Sequence, residues 1–242
     1  MANLLVEIGN TALKAAWSEG STLGKTFRYQ GEMMLDYILS ITEKEKPQVL
    51  VIATQGEVTS SEETVLRGEC SHLLILDRNH TRETLSHGFP EYLSYDRVAS
   101  AVAARKMFEG KPVTVFDFGS MLTVDFVSAT GRYVGGNVSP GCRTRFKAVN
   151  RYSRSLPLVD TPENVAPEGT TVESAVASGV ISGIMFEIEG YARLRPDNIM
   201  VFTGGDAVYF AKRMKSSIFV VSSLVMMGLA LITDDYVRKN IQ

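Results

Sequence analysis

Hydrophobic residues gather in short runs: LLVEI at 4–8, ALKAAW at 12–17, VLVIA at 49–53, HLLIL at 72–76, VTVFDF at 113–118, LTVDFVS at 122–128, RYVGGNV at 132–138, IMVFT at 199–203 and IFVV at 218–221. Runs this brief and almost continuously apolar predict strands in sheets covered on both faces. Between them, 32–45, 95–108, 172–194, 206–215 and 223–239 carry apolar residues at helical spacing, with Asp206 and Ser222 as candidate N-caps. Strands alternating with helices predict an α/β fold.

The pattern also repeats itself. VEIGNTALKAAW at 6–17 aligns with FDFGSMLTVDFV at 116–127 at a constant offset of 110, so that Glu7 falls on Asp117 and Gly9 on Gly119. In each copy a hydrophobic strand ends in an acid, a spacer and a glycine with a small polar residue after it. A second strand then runs to a turn, at Glu19-Gly20 or Thr130-Gly131, and a third strand is expected beyond it. An acid, spacer and glycine occurring once is only a hairpin signal. Two copies half a chain apart predict duplicated lobes, an N-terminal one over 1–111 and a C-terminal one over 112–242.

Composition narrows the function class. With 45% hydrophobic and 21% charged residues in 242, the chain has ordinary globular make-up and enough length for two lobes. Its 25 Lys+Arg against 27 Asp+Glu give a net charge of -2, which argues against nucleic acid or an anionic membrane as partner. Cys70 and Cys142 lack a CxxC spacing, and His72, His80 and His87 form no metal box, which disfavours a zinc site or a disulfide scaffold. The opening residues read as a buried strand rather than a signal peptide. The longest apolar stretch, Ile218 to Ile232, is 15 residues with two serines inside, short of the roughly 20 needed to span a bilayer. A soluble, cytoplasmic protein is expected.

The hairpins carry the candidate chemistry. A glycine in a tight turn lets backbone approach a ligand, and neighbouring Asn, Thr or Ser groups add donors of the kind that cradle phosphate oxygens. An acid at the strand end can hold a cation directly or through water. Two such hairpins facing each other across a cleft would clamp a metal-bound polyphosphate. This layout is similar to the duplicated ribonuclease H-like fold of the actin-like ATPases and sugar kinases. Its third expected element, a glycine pair after a late strand where a nucleoside packs, is supplied by Gly204 and Gly205. Neither a GxxxxGK[ST] stretch nor a GxGxxG after a strand occurs, so P-loop and Rossmann readings lack their fingerprints.

At the level of motifs the chain resembles the type III pantothenate kinases over nearly its whole length. The family's Asp-x-Gly-Asn-Thr appears as Glu7, Ile8, Gly9, Asn10, Thr11, and its Pro-x-x-x-Gly-x-Asp-Arg as Pro90 through Ser94, Tyr95, Asp96 and Arg97. Asp-x-Gly-Thr-Ala-x-Thr-x-Asp becomes Asp117, Phe118, Gly119, Ser120, Met121, Leu122, Thr123, Val124, Asp125. The Gly-Gly-x-Ile-x-Pro-Gly loop spans Gly135 to Gly141, a Thr-Val-x-Ser helix start lies at Thr171 to Ser174, and Thr203, Gly204 and Gly205 follow. Six motifs in the right order make the resemblance specific.

The resemblance implies ATP-dependent phosphorylation of the primary hydroxyl of pantothenate, the first step of coenzyme A synthesis (EC 2.7.1.33). It makes Asp96 the general base, the need being that a primary alcohol is a poor nucleophile. It makes Glu7, Ile8, Gly9, Asn10, Thr11, Ala12, Leu13 and Lys14 the first phosphate loop, with Ser120, Gly204 and Gly205 as further ATP contacts. It places His87, Ser94, Tyr95, Arg97 and Thr171 with Asp96 around pantothenate, a monovalent cation (K⁺ or NH₄⁺) at Asp117, and Mg²⁺ held by Glu7 through water. It also implies a homodimer. The bland alternatives are that Asp96 and Arg97 cap a helix and pair at the surface, and that Thr171 is a helix-start hydroxyl without a ligand.

Several motif positions depart from the family: Glu7 for aspartate, Ser94 for glycine, His87 for tyrosine, and Met121 and Leu122 for smaller residues. Glu7 moves its carboxylate by about 1.5 Å on a fixed backbone, and a misplacement near 1 Å can cost about a hundredfold in rate. Two competing functions follow: an inactive or weak member acting as an accessory, regulatory binding protein, and a kinase of the same fold for another small hydroxylated substrate. Phosphoryl transfer to pantothenate separates the first, a substrate panel the second.

Overall fold

The structure, a computed structural model, describes residues 2–9 and 11–241. It divides into two compact units: the chain through Met107 together with the segment from Ser223 onward, and the stretch Phe108–Ser222.

In the first unit β1 (Asn3–Ile8), β2 (Leu13–Glu19) and β3 (Thr22–Tyr29) form an antiparallel meander, and β4 (Val49–Thr54) and β5 (His72–Leu76) extend it in parallel, giving the order β3-β2-β1-β4-β5. Strand alternation sets the two faces. Leu4, Val6, Leu13, Ala15, Leu50 and Ile52 pack against Ile38 and Ile41 of α1 (Met34–Thr42) and Leu66 of α2 (Ser60–Arg67). Each such fully buried aliphatic side chain is worth about 1.5–3 kcal/mol relative to exposure. Asn3, Leu5 and Glu7 therefore point to the other face, where α4 (Tyr95–Met107) and α8 (Leu224–Asn240) lie against the sheet. The short α3 (Arg82–Ser86) leads into that layer.

The second unit repeats the plan. β6 (Val113–Phe118), β7 (Met121–Val127) and β8 (Tyr133–Pro140) form the meander, and β9 (Ile199–Gly204) and β10 (Ile218–Val220) extend it, in the order β10-β9-β6-β7-β8. Its core is aromatic, with Phe116, Phe118 and Phe202 in mutual ring contact and Phe210 stacked on Phe118, beside α6 (Val172–Leu194) and α5 (Cys142–Tyr152). Both sheets thus have the same connectivity, and the duplication read from the hairpins extends to five strands.

Three expectations change. The segment assigned with 112–242 as one lobe does not stay together, because α8 returns to the first unit and crosses α4 so closely that a Cβ at Gly228 would collide with the carbonyl of Ala99. The helix expected over 206–215 is only α7 (Ala207–Ala211). Asp206 occupies its N-cap position without a capping bond, and at α8 Ser223 rather than Ser222 takes that position, also without one. Helices α2, α3 and α5 escape the hydrophobic pattern, since α2 buries only Leu66 and α5 only Cys142 and Phe146. The signal for α2 was polar instead, the reciprocal Thr59–Glu62 capping box. No helix among the described residues is long and apolar enough to cross a membrane.

Candidate active site

The first hairpin turns through four residues between paired Ile8 and Leu13, closed by the Gly9 N–H donating to the Ala12 carbonyl at 3.1 Å. Asn10, a predicted phosphate contact, lies outside the described residues. Glu7, only 8% exposed, stands opposite Lys14 in the ladder, and the Lys14 ammonium donates to its Oε2 at 3.1 Å. This pair satisfies an acid that would be costly to bury alone. Thr11 is exposed and Ala12 and Leu13 are buried. Ile8 instead faces a cavity of about 350 Å³ on the α1 and α2 side, so its predicted phosphate contact falls to the backbone alone.

Asp96 sits in the first turn of α4, on the Glu7 side of the sheet. Its Oδ1 is buried and has no hydrogen-bond partner, an uncommon state for a carboxylate oxygen. Tyr95, predicted to touch substrate, is buried and its hydroxyl donates to the Ile8 carbonyl at a long 3.4 Å, tying the start of α4 to the first hairpin. Ser94 replaces the family glycine without strain, because no described non-glycine residue has positive φ, and its carbonyl accepts the Val98 N–H at 3.0 Å. Arg97 is half-buried one residue on.

His87 does not join this group. Its carbonyl accepts from Arg105 Nη1 at 3.1 Å, and its Nε2 lies 3.7 Å from Asp235 Oδ2, beyond hydrogen-bond reach. Residues 96 and 105 are about two and a half turns apart on α4, hence on opposite faces. His87 is therefore pinned on the far side from Asp96, between α4 and α8, where burial holds its pKa below the usual histidine range.

In the second unit the hairpin turns through three residues between Phe118 and Leu122, with Gly119 N–H donating to the Met121 carbonyl at 3.0 Å. Its tip is braced from outside. The Ser120 carbonyl accepts from Gly141 N at 3.0 Å and from Thr144 Oγ1 at 2.6 Å, leaving the residue exposed but its backbone fixed. Arg145 holds the Gly141 loop, donating to the Pro140 carbonyl at 2.7 Å and to Ser139 Oγ at 3.1 Å while pairing with Glu187. Leu122 is a buried core residue and Met121 is exposed, so neither departure crowds the turn. Asp117 stands opposite Thr123.

The glycine pair belongs to this same place. Gly204 ends β9 beside Phe118 with φ +90°, and a Cβ there would fall within 2.6 Å of Phe118 N and O and would collide with Asp117 Oδ1. Gly205 is exposed, and Asp206 is half-buried with its pKa raised by burial. Thr171 caps α6 in a reciprocal box with Ser174, its hydroxyl accepting the Ser174 N–H at 3.2 Å. Reading by motif missed Thr144, Arg145 and the bracing role of Gly141, whose signal was the Pro140-Gly141 pair just before a basic run. Among the described residues no group of three or more His, Cys, Asp or Glu could hold a metal.

Solved structures similar to this chain share its fold. A Campylobacter jejuni protein described as a Baf family transcriptional activator superposes with TM-score 0.65 at 21% identity, covering 97% of this chain and 99% of that one. A ROK hexokinase from Thermus thermophilus gives 0.55 at 10%, covering 96% and 98%. Among sequences, the type III pantothenate kinase of Azobacteroides pseudotrichonymphae is 33% identical over 93% of this chain and 94% of its own length, and that of Bacteroides fragilis 34% over 94% and 95%. With the type III pantothenate kinase family model matching residues 3–194 as well, the chain belongs to that family, phosphotransferases that phosphorylate the hydroxyl of pantothenate at the opening of coenzyme A biosynthesis.

Proposed function

We propose that Asp96 is the general base of this kinase. The observation that carries the reading is its buried, unpartnered Oδ1, an acceptor lacking only a donor; the primary hydroxyl of pantothenate is the donor the reaction provides. As that oxygen attacks the γ-phosphorus of ATP, its O–P bond forms, the β,γ-bridging P–O bond breaks with ADP leaving, and the proton passes to Oδ1. Arg97 orients an anionic group of substrate or nucleotide. The Gly9 and Gly119 turns, with Lys14 and Ser120, hold the phosphates, and the nucleoside packs on Gly204 and Gly205. Thr171 contacts pantothenate from the exposed start of α6, beyond its capping role.

Mg²⁺ fits Glu7. One oxygen of that carboxylate is engaged by Lys14, and a metal that keeps its waters and takes phosphate oxygens needs no protein cage. When bound it would offset the charge of the phosphates. A monovalent cation, K⁺ or NH₄⁺, is assigned to Asp117, the acid near the end of β6 opposite Thr123. The protein works in the cytoplasm as a homodimer. The exposed Val138 on β8 and Val172 and Phe186 on α6 are apolar surface for a second copy, and sedimentation at micromolar concentration should give twice the 26.6 kDa chain mass.

The deciding experiment is Asp96→Asn, with phosphopantothenate followed by mass spectrometry. The amide keeps the shape but cannot take the proton, so turnover should fall by about 10²–10⁴-fold with nucleotide affinity and melting temperature nearly unchanged. Normal turnover would remove Asp96 from the chemistry.

A further inference from the structure

From Val98 to Ala104, helix α4 is built of buried valine and alanine with one exception, Ser100. That serine is 2% exposed. A buried hydroxyl inside a helix can donate back to the carbonyl one turn earlier, and Thr233 in α8 does so, bonding the Leu229 carbonyl at 2.7 Å. Ser100 does not: its Oγ is buried with no hydrogen-bond partner. Alanine at this position would be the better helix former and would leave no hydroxyl unsatisfied, so packing alone does not account for the serine.

Its neighbour on the helix does. Among the described residues the side-chain atoms buried without a partner are Ser18 Oγ, His87 Nε2, Asp96 Oδ1 and Ser100 Oγ. Ser18 lies at the end of β2 away from the first hairpin, and His87 is held by Arg105 on the opposite face of α4. Asp96 and Ser100 are four residues apart, about 40° around the helix axis, with Cβ atoms about 5–6 Å from each other. An acceptor lacking a donor and a donor lacking an acceptor thus stand one turn apart on one face. They do not bond each other directly, and a single water closes such a span between buried polar groups.

We propose that Ser100 is a positioning residue for Asp96, its hydroxyl holding the carboxylate through one bridging water in the orientation that takes the proton of pantothenate. The proposal rests on Asp96 being the general base. Oδ1 has two lone pairs, so that one accepts the substrate hydroxyl and the other the water held by Ser100. No atom of Ser100 enters the reaction. As the new O–P bond forms, the pantothenate proton stays on Oδ1, and the serine hydroxyl suits both states of the acid because it can donate or accept through the water. A carboxylate anchored on one side does not swing freely, and a displacement near 1 Å can cost about a hundredfold in rate.

The test is steady-state phosphopantothenate formation by full-length Ser100→Ala, Ser100→Thr, Asp96→Asn and the Asp96→Asn/Ser100→Ala double variant, each with its melting temperature. Ser100→Ala should lose about tenfold in kcat with both KM values within about twofold of the parent, the pattern of an interaction made at the transition state. It should melt no lower than the parent, because an unsatisfied hydroxyl is gone. Ser100→Thr keeps the hydroxyl and should recover most of the loss. If its added methyl lowers the melting temperature, Ser100→Cys, a weak donor of similar size, must fall between alanine and the parent. On the Asp96→Asn background Ser100→Ala should change the residual turnover by less than about twofold, since the serine acts only through the acid.

A parent-like kcat in Ser100→Ala makes the serine a packing residue and overturns the proposal. A loss confined to KM overturns it by making Ser100 a substrate contact, and a further loss of similar size on the Asp96→Asn background overturns it by routing the effect around the acid. Normal turnover in Asp96→Asn alone is a different failure: it removes the base itself and the proposal with it, and it is read without any Ser100 variant.

Discussion

The two hairpins share a scaffold and differ at their tips. Ile8 pairs with Leu13 and Thr54, and Phe118 with Leu122 and Gly204, so the strands correspond pair by pair. The first tip has four turn residues, an acid neutralised by Lys14 across the ladder, and Thr54 alongside, whose hydroxyl accepts the Gly56 N–H at 3.1 Å. The second has three turn residues, Thr123 across from the acid, Gly204 alongside, and bracing from Gly141 and Thr144. Apolar burial fixes the sheets, which duplicate faithfully. The tips answer to local polar contacts and ligands, and there the copies diverged.

Glycines give the largest test of that difference. Gly204→Ala puts a Cβ into Asp117 and Phe118 at a positive φ, and should cost about 3 kcal/mol or more, leaving little folded protein by circular dichroism melts. Gly9→Ala meets only the Ala12 carbonyl at an ordinary 3.5 Å and should melt within a few degrees of the parent. On the proposed phosphate-loop role of Gly9, its effect should be confined to nucleotide affinity. Equal melting of the two variants would erase the distinction between a braced tip and an open one.

Much of this was legible beforehand. The acid, spacer and glycine echo located both tips, and 172–194 was read to its ends as α6. The constant offset of 110 fails past the turn: Lys14 corresponds in register to Thr123, an offset of 109, because the second turn is one residue shorter. A turn length is set by hydrogen bonds that an ungapped alignment does not contain. His87 was placed by spacing from Ser94, but it caps the C-terminus of α3, and the Arg105 contact puts it on the other side of α4. The return of α8 to the first unit is a long-range packing choice, visible only once Gly228 is seen against Ala99.

The acid of the first tip comes next in size. On the proposed assignment of the metal to Glu7, Glu7→Gln removes a charge shared with Lys14, and turnover should fall by about a hundredfold. Glu7→Asp keeps the charge and restores the family's reach; it should stay within about tenfold of the parent, the cost being the 3.1 Å contact to Lys14 that a shorter acid stretches. Phosphopantothenate formation measured on both variants in one preparation decides it, and an active parent indifferent to Glu7→Gln would move the metal to another ligand.

The smallest effect concerns stability at the second tip. Where the first unit follows β4 with Thr54, Gln55 and Gly56, the second follows β9 with Gly204, Gly205 and Asp206, exchanging a satisfied hydroxyl for a half-buried acid. Burial raises the folded-state pKa of Asp206 above its unfolded value of 3.8. The folded state then binds its proton more readily than the unfolded state does, so the group's contribution is present below the unfolded pKa and is lost as pH rises through the folded one. Without nucleotide, Asp206→Asn should melt higher than the parent at pH 7, by about 1 kcal/mol or less. The gap should close as pH falls toward 4, since the parent's acid then becomes neutral as well. A gap that is constant with pH would mean that the carboxylate is not desolvated in the folded chain, and the second tip would differ from the first in shape alone.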